Sequence, residues 1–86
     1  MAWLELSMAQ KKILTALIQL YEQDKGYIKS ELIAESTGFE SDSVHSQMQE
    51  LKKLQLVKGV IGPVGAYKPT VGAYEVLNRD ESQNTP

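Results

Sequence analysis

Apolar side chains recur at helical spacing in the first quarter of the chain, where Ile13, Leu14, Leu17, Ile18 and Tyr21 fall on one side. Ser7 and Gln10 form a capping-box pattern ahead of that stripe, so the spacing predicts a helix that stops at Asp24 to Gly26. Lys11, Lys12, Gln19 and Glu22 then face solvent. Tyr27 and Ile28 read as a short extended link. Ser30 is the candidate cap of a second helix with Leu32, Ile33 and Ala34 inward, and Thr37 and Gly38 end it because glycine tolerates the left-handed backbone of a tight turn. Ser41 caps a third helix running to about Leu54, with Val44, Met48 and Leu51 on its buried side and Leu54 continuing the seam.

Leu56 to Val60 alternate as a short half-buried strand, and Tyr67 and Lys68 return as a second one. Between them Gly62, Pro63 and Gly65 break regular structure, so Ile61 to Ala66 is a loop. Pro69 and Thr70 punctuate the second strand. Thr70 is placed to cap a last short helix through Leu77, with Val71, Tyr74 and Leu77 inward. The polar run Arg79 to Pro86 predicts a disordered tail, leaving residues 1–78 as the domain. Helix, tight turn, helix, then strand, loop, strand is the order of a winged helix-turn-helix. The fold class is α+β: a three-helix core, a small antiparallel wing sheet and a short C-terminal helix.

In such a fold the third helix is the one laid into the DNA major groove, with the wing on the phosphates. Counting about 100° per residue from Val44 places Asp42, Ser46, Gln49 and Lys53 on the outward face, flanked by His45 and Glu50. Gln pairs bidentately with adenine and Lys with guanine, so Ser46, Gln49 and Lys53 are candidate base readers. Ser41, Ser43, His45 and Lys52 complete the DNA-contact candidates on this helix. Lys29, Lys58 and Lys68 are candidates for phosphate contact.

Charge complicates that picture. The 86 residues carry a net charge of -2, and the one Arg is Arg79. A DNA-reading surface favours the opposite balance. Between Ser41 and Thr70, however, four Lys (Lys52, Lys53, Lys58, Lys68) stand against Asp42 and Glu50, so that stretch is locally positive. The chain has no Cys, which leaves no disulfide or thiolate ligand. With no apolar run of membrane-spanning length and no signal-peptide profile, it reads as a cytoplasmic protein of one domain.

The segments QKKILTALIQLY, IKSELIAESTG, SQMQELKKLQLVKGV and GPVGAYKPT resemble the archaeal winged-helix group related to the DNA-binding segment of HrcA-type transcription repressors. The likeness covers about Ser7 to Leu77. It implies a DNA-binding transcriptional regulator of a group whose members stand alone or are fused to nucleotide-sensing CBS domains. The 86 residues hold no CBS segment, so nucleotide sensing is not implied for them. The group's pattern implies an Arg-Asn pair before Gln47 and a basic wing tip; here His45 and Ser46, and Val64, stand in those places.

Other chemistry finds little to stand on. A lone His45 without Cys or clustered carboxylates makes no metal site, Gly62-Pro63-Val64-Gly65 lacks the lysine a phosphate loop needs, and no catalytic constellation is present. His45 could contact a base or a phosphate, although a single exposed histidine on a helix commonly does nothing special. No cofactor and no enzymatic activity are predicted. The apolar N-terminal arm with Trp3, Leu4 and Leu6 has two open readings: a homodimer contact, with Tyr74 and Leu77 among its candidates, or a cover by Trp3 over the exposed end of the domain's own core, against Tyr74 and Leu77. Double-stranded DNA is the predicted partner. A protein-interaction module, with Val64 buried at the wing tip, is the alternative.

Overall fold

The computed structural model describes residues 6–59 and 65–84. Its elements run α1 (Met8–Asp24), β1 (Ile28–Lys29), α2 (Ser30–Thr37), α3 (Ser41–Lys53), β2 (Val57–Gly59), β3 (Ala66–Pro69) and α4 (Val71–Asn84). The strands form one antiparallel sheet in the order β1-β3-β2. This is a winged helix-turn-helix. Trp3, Leu4, Val64 and most of the wing tip lie outside the described residues.

The helical stripe of α1 is the floor of the core: Ile13, Leu14 and Leu17 are completely buried, and Ile18 and Tyr21 pack half-buried against them. Ile28 from β1, Ile33 from α2, Val44, Met48 and Leu51 from α3, Val57 from β2 and Tyr67 from β3 close over it. Each such side chain contributes roughly 1.5–3 kcal/mol of burial. The capping box at Ser7 forms in both directions, with Gln10 N–H donating to Ser7 Oγ at 3.1 Å and Ser7 N–H donating to Gln10 Oε1 at 3.0 Å.

The turn joining α2 to α3 is three residues, Gly38 to Glu40. Gly38 sits at φ 82° and its N–H donates to Ala34 O at 2.8 Å. Thr37 Oγ1 donates to Ile33 O and accepts from Phe39 N–H, which steers the half-buried Phe39 ring into the core. Neither predicted serine cap forms. Lys29 and Glu40 occupy the N-cap positions of α2 and α3 without a side-chain cap, and Ser30 and Ser41 are the first helical residues. Ser30 is held differently: its N–H donates to Gly65 O at 3.0 Å, joining α2 to the start of β3.

Further expectations are corrected. Leu32 and Leu54 are 42% and 41% exposed rather than core. The chain reverses after α3, because Gln55 takes φ 64° and Leu56 N–H and Gln55 N–H bond back to Leu51 O and Lys52 O. That is a Schellman closure, and it buries Leu56 instead of Leu54. Thr70 stands just before α4, and its hydroxyl donates to Gln55 O at 2.8 Å, tying the helix start to the turn after α3. The inward side of α4 is Ala73, fully buried, with Val76 and Leu77 partly so, while Val71 is 75% exposed. Finally, Pro69 pairs with Val57 inside β3, and α4 continues past Leu77 to Asn84 where an irregular tail was expected. No Gly or Pro interrupts residues 78–84, and Arg, Glu and Gln are good helix formers.

Candidate nucleic-acid interface

With Val44, Met48 and Leu51 buried, α3 exposes Ser41, Asp42, Ser43, His45, Ser46, Gln49, Glu50, Lys52 and Lys53. The structure divides this face in two. Asp42, Ser46 and Lys53 point straight outward, and Lys53 lies 3.5 Å from Glu50 in an exposed pair worth a few tenths of a kcal/mol. His45, Gln49 and Lys52 instead form a row along the side where α3 meets the sheet. Gln49 Nε2 donates to Tyr67 Oη at 3.2 Å. His45 Nδ1 and Lys52 Nζ lie near Gly65 and Gly59, within 3.7 and 3.5 Å of the points where a Cβ would stand.

Strand alternation decides the wing. Val57 pairs with Pro69, and Ile28 with Tyr67, on the buried face. Lys58 pairs directly with Lys68 on the outer face, and Lys29 pairs there with Ala66. The three lysines foreseen as phosphate contacts are thus brought onto one surface. Tyr27, 45% exposed, joins them, with Lys68 Nζ 5.6 Å from its ring centroid. Like charges directly opposite one another on a sheet destabilise it, and the cation–π contact offsets part of that cost.

The other flank carries the opposite sign. Glu31, Glu35, Glu40 and Asp42 are all exposed around α2, the turn and the first turn of α3. An open groove of about 530 Å³ between α2 and the start of α3 includes Glu31, Glu35, Phe39 and Ser41 in its lining. The linear segment Ser41 to Thr70 looks basic, but the folded helix-turn-helix has an acidic turn side and a basic wing side. Glu31, Glu35 and Glu40 precede that segment in sequence, and only folding brings them beside α3. Tyr27, Tyr67, Gly59 and Gly65 were likewise not foreseen as interface residues. The period-two alternation around Lys58 and Lys68 was the available signal for the strands.

On the opposite side of the molecule, Ile18, Tyr74 and Leu77, with Lys11, Thr15, Gln19 and Asn78, line a groove of about 410 Å³ between α1 and α4. Tyr74 Oη donates to Glu22 Oε2 at 2.9 Å. Burial first, and the Glu22 carboxylate second, hold the Tyr74 phenol above its usual value. Among the described residues no cluster of His, Cys, Asp and Glu could hold a metal, and no helix is long and apolar enough to cross a membrane.

The comparisons agree with this geometry. A protein of Methanocaldococcus jannaschii, itself uncharacterised, is 40% identical over 78 residues, which make up 91% of this chain and 26% of the relative. The chain therefore spans about a quarter of that protein's length. Among solved structures, Bordetella bronchiseptica BpsR, whose DNA binding is regulated by 6-hydroxynicotinic acid, superposes with a TM-score of 0.73 at 19% identity, covering 87% of this chain and 52% of BpsR. Lactococcus lactis ZitR in complex with DNA superposes at 0.69 and 19% identity, covering 94% of this chain and 54% of ZitR. Staphylococcus aureus MepR, a transcription regulator of a multidrug efflux pump, gives 0.73 at 14% identity, covering 91% and 57%. These three likenesses establish the winged-helix fold. The profile of the winged helix-turn-helix transcription repressor, HrcA DNA-binding family matches residues 5–83, and the chain belongs to that family.

Proposed function

We propose that this chain is the DNA-binding part of a cytoplasmic transcriptional regulator, with α3 in the major groove and the outer face of the sheet on the phosphate backbone. The observation that carries the reading is the gathering of Lys29, Lys58 and Lys68 on one sheet surface beside the polar face of α3. Phosphates supply the countercharge that Lys29, Lys58 and Lys68 do not find among the described residues. The acidic turn side gives the approach a direction: the wing and the C-terminal half of α3 lead, while Glu31, Glu35, Glu40 and Asp42 repel the backbone. The DNA complex of ZitR is consistent with this use of the fold. Tyr74 and Leu77, with Trp3 and Leu4, supply the contact of a homodimer, which would set two copies of α3 roughly 34 Å apart on a palindromic site.

Salt-dependent binding of labelled duplex, read by fluorescence anisotropy, tests the proposal. Contacts from Lys29, Lys52, Lys53, Lys58 and Lys68 would give a slope of log affinity on log salt of about -4 to -5. Absence of binding at tens of micromolar and low salt would remove DNA as the partner. The acidic rim would then favour the second reading, a module that docks a basic protein.

A further inference from the structure

We propose that the crease between α3 and the wing sheet seats one phosphate of a nucleic-acid backbone, held by His45, Gln49 and Lys52. The inference rests on the reading of the chain as a DNA-binding domain and sharpens it. The three residues follow at i, i+4 and i+7, so their side chains form one row. The row meets the sheet at three points: His45 at Gly65, Gln49 at the Tyr67 hydroxyl, Lys52 at Gly59. Ser30 Oγ, 3.6 Å from where a Cβ on Gly65 would stand, closes the end beside His45.

Every polar side chain in this crease carries at least one hydrogen-bond donor, which is what phosphate oxygens require. Among the described residues neither His45 nor Lys52 is in an ion pair, whereas Lys53, one position on, is held by Glu50. Gln49 has two N–H groups and gives one to Tyr67, so the amide is anchored in the crease with the other free to donate. That anchoring turns Gln49 away from the base edges and leaves them to Ser46 and Lys53.

The glycines add an independent observation. A Cβ on Gly59 or Gly65 would make only ordinary contacts, at 3.4–3.7 Å. Crowding does not call for glycine at these positions. What glycine does there is keep the crease open where His45 and Lys52 reach it.

The test is a panel of duplexes differing in sequence, titrated over a range of salt with the wild type, Lys52→Gln, Gln49→Ala, Tyr67→Phe, Gly65→Ala, Lys58→Gln and Lys68→Gln, and with Lys25→Gln just after α1 as a control. Lys52→Gln should reduce the slope by about 0.9. Gln49→Ala and Tyr67→Phe should weaken every duplex by a similar factor of about 3 to 10, leaving their rank order unchanged. Gly65→Ala should melt like the wild type and still bind more weakly, and Lys25→Gln should match the wild type. A re-ordered panel with Gln49→Ala would make Gln49 a base reader and overturn the proposal. So would an unchanged slope with Lys52→Gln while Lys58→Gln and Lys68→Gln reduce it. The His45 ring resonances should move on adding duplex and stay put with inorganic phosphate at matched ionic strength; movement with inorganic phosphate at low millimolar would assign the crease to a free anion. A wild-type protein that binds no duplex at any salt would sink the DNA reading itself, an outcome distinct from the others.

Discussion

Two turns of similar shape are closed by different residues. Gly38 at φ 82° ends α2, and no atom lies within 4 Å of where its Cβ would be, so any cost of alanine there is backbone strain alone. Gly38→Ala should lower stability by about 1 kcal/mol in urea denaturation. Gln55, at φ 64°, closes α3 in the same left-handed region without glycine's freedom. Its carbonyl, which accepts from Thr70, would survive substitution by glycine. Gln55→Gly should therefore raise stability by about 0.5–1 kcal/mol, read by the same assay. The first turn was legible because glycine announces it. The second was not, since a glutamine in sequence carries no sign of a positive φ.

The phase of α4 separates pattern from packing. Sequence spacing favoured Val71, Tyr74 and Leu77 as its inner stripe, but β3 delivers the chain so that Ala73 faces the core and Val71 faces out. Val71→Ser should leave the melting temperature within a degree or two, whereas Ala73→Leu, pushed into a fully packed spot, should cost about 1–3 kcal/mol. The Tyr74–Glu22 bond then fastens α4 to α1. Because folding raises the Tyr74 pKa above its usual 10.0, the bond's contribution is complete below that pH and is lost as pH climbs through the folded value. Tyr74→Phe should accordingly show a shallower alkaline fall in stability than the wild type in a pH series of thermal melts. The buried stripes of α1 and α3, Leu54 aside, were read correctly from periodicity, since each of these helices packs against several other elements and its apolar side is fixed by all of them. A helix attached to the body by few residues has no such margin.

Charge is arranged across the whole domain, acidic by the turn and basic by the wing, in a chain whose net charge is only -2. The Lys58–Lys68 pairing exposes the compromise. A sheet selected for stability alone would not set two lysines opposite each other. Lys58→Glu would create an attractive cross-strand pair with Lys68. It should raise stability by a few tenths to about 1 kcal/mol while weakening duplex binding and reducing the salt slope by about 1 or more. Parallel denaturation and anisotropy measurements on one variant would show both effects; a gain in stability with unchanged binding would remove the sheet face from the interface.

Element order, the buried side of α1 and α3, the glycine turn and the placement of lysines near the wing were all present in the linear pattern, because helix and strand periods and turn chemistry act over a few residues. Several features arise only when distant segments meet. The acidic rim unites α2, the turn and α3. The lysine face needs the register of three strands. The link from Gln49 to Tyr67 joins positions 18 residues apart. Local periodicity says which side of an element is apolar, but the rotation and register at which elements dock are set by close packing of the core, and at this site they determine which polar groups share a surface.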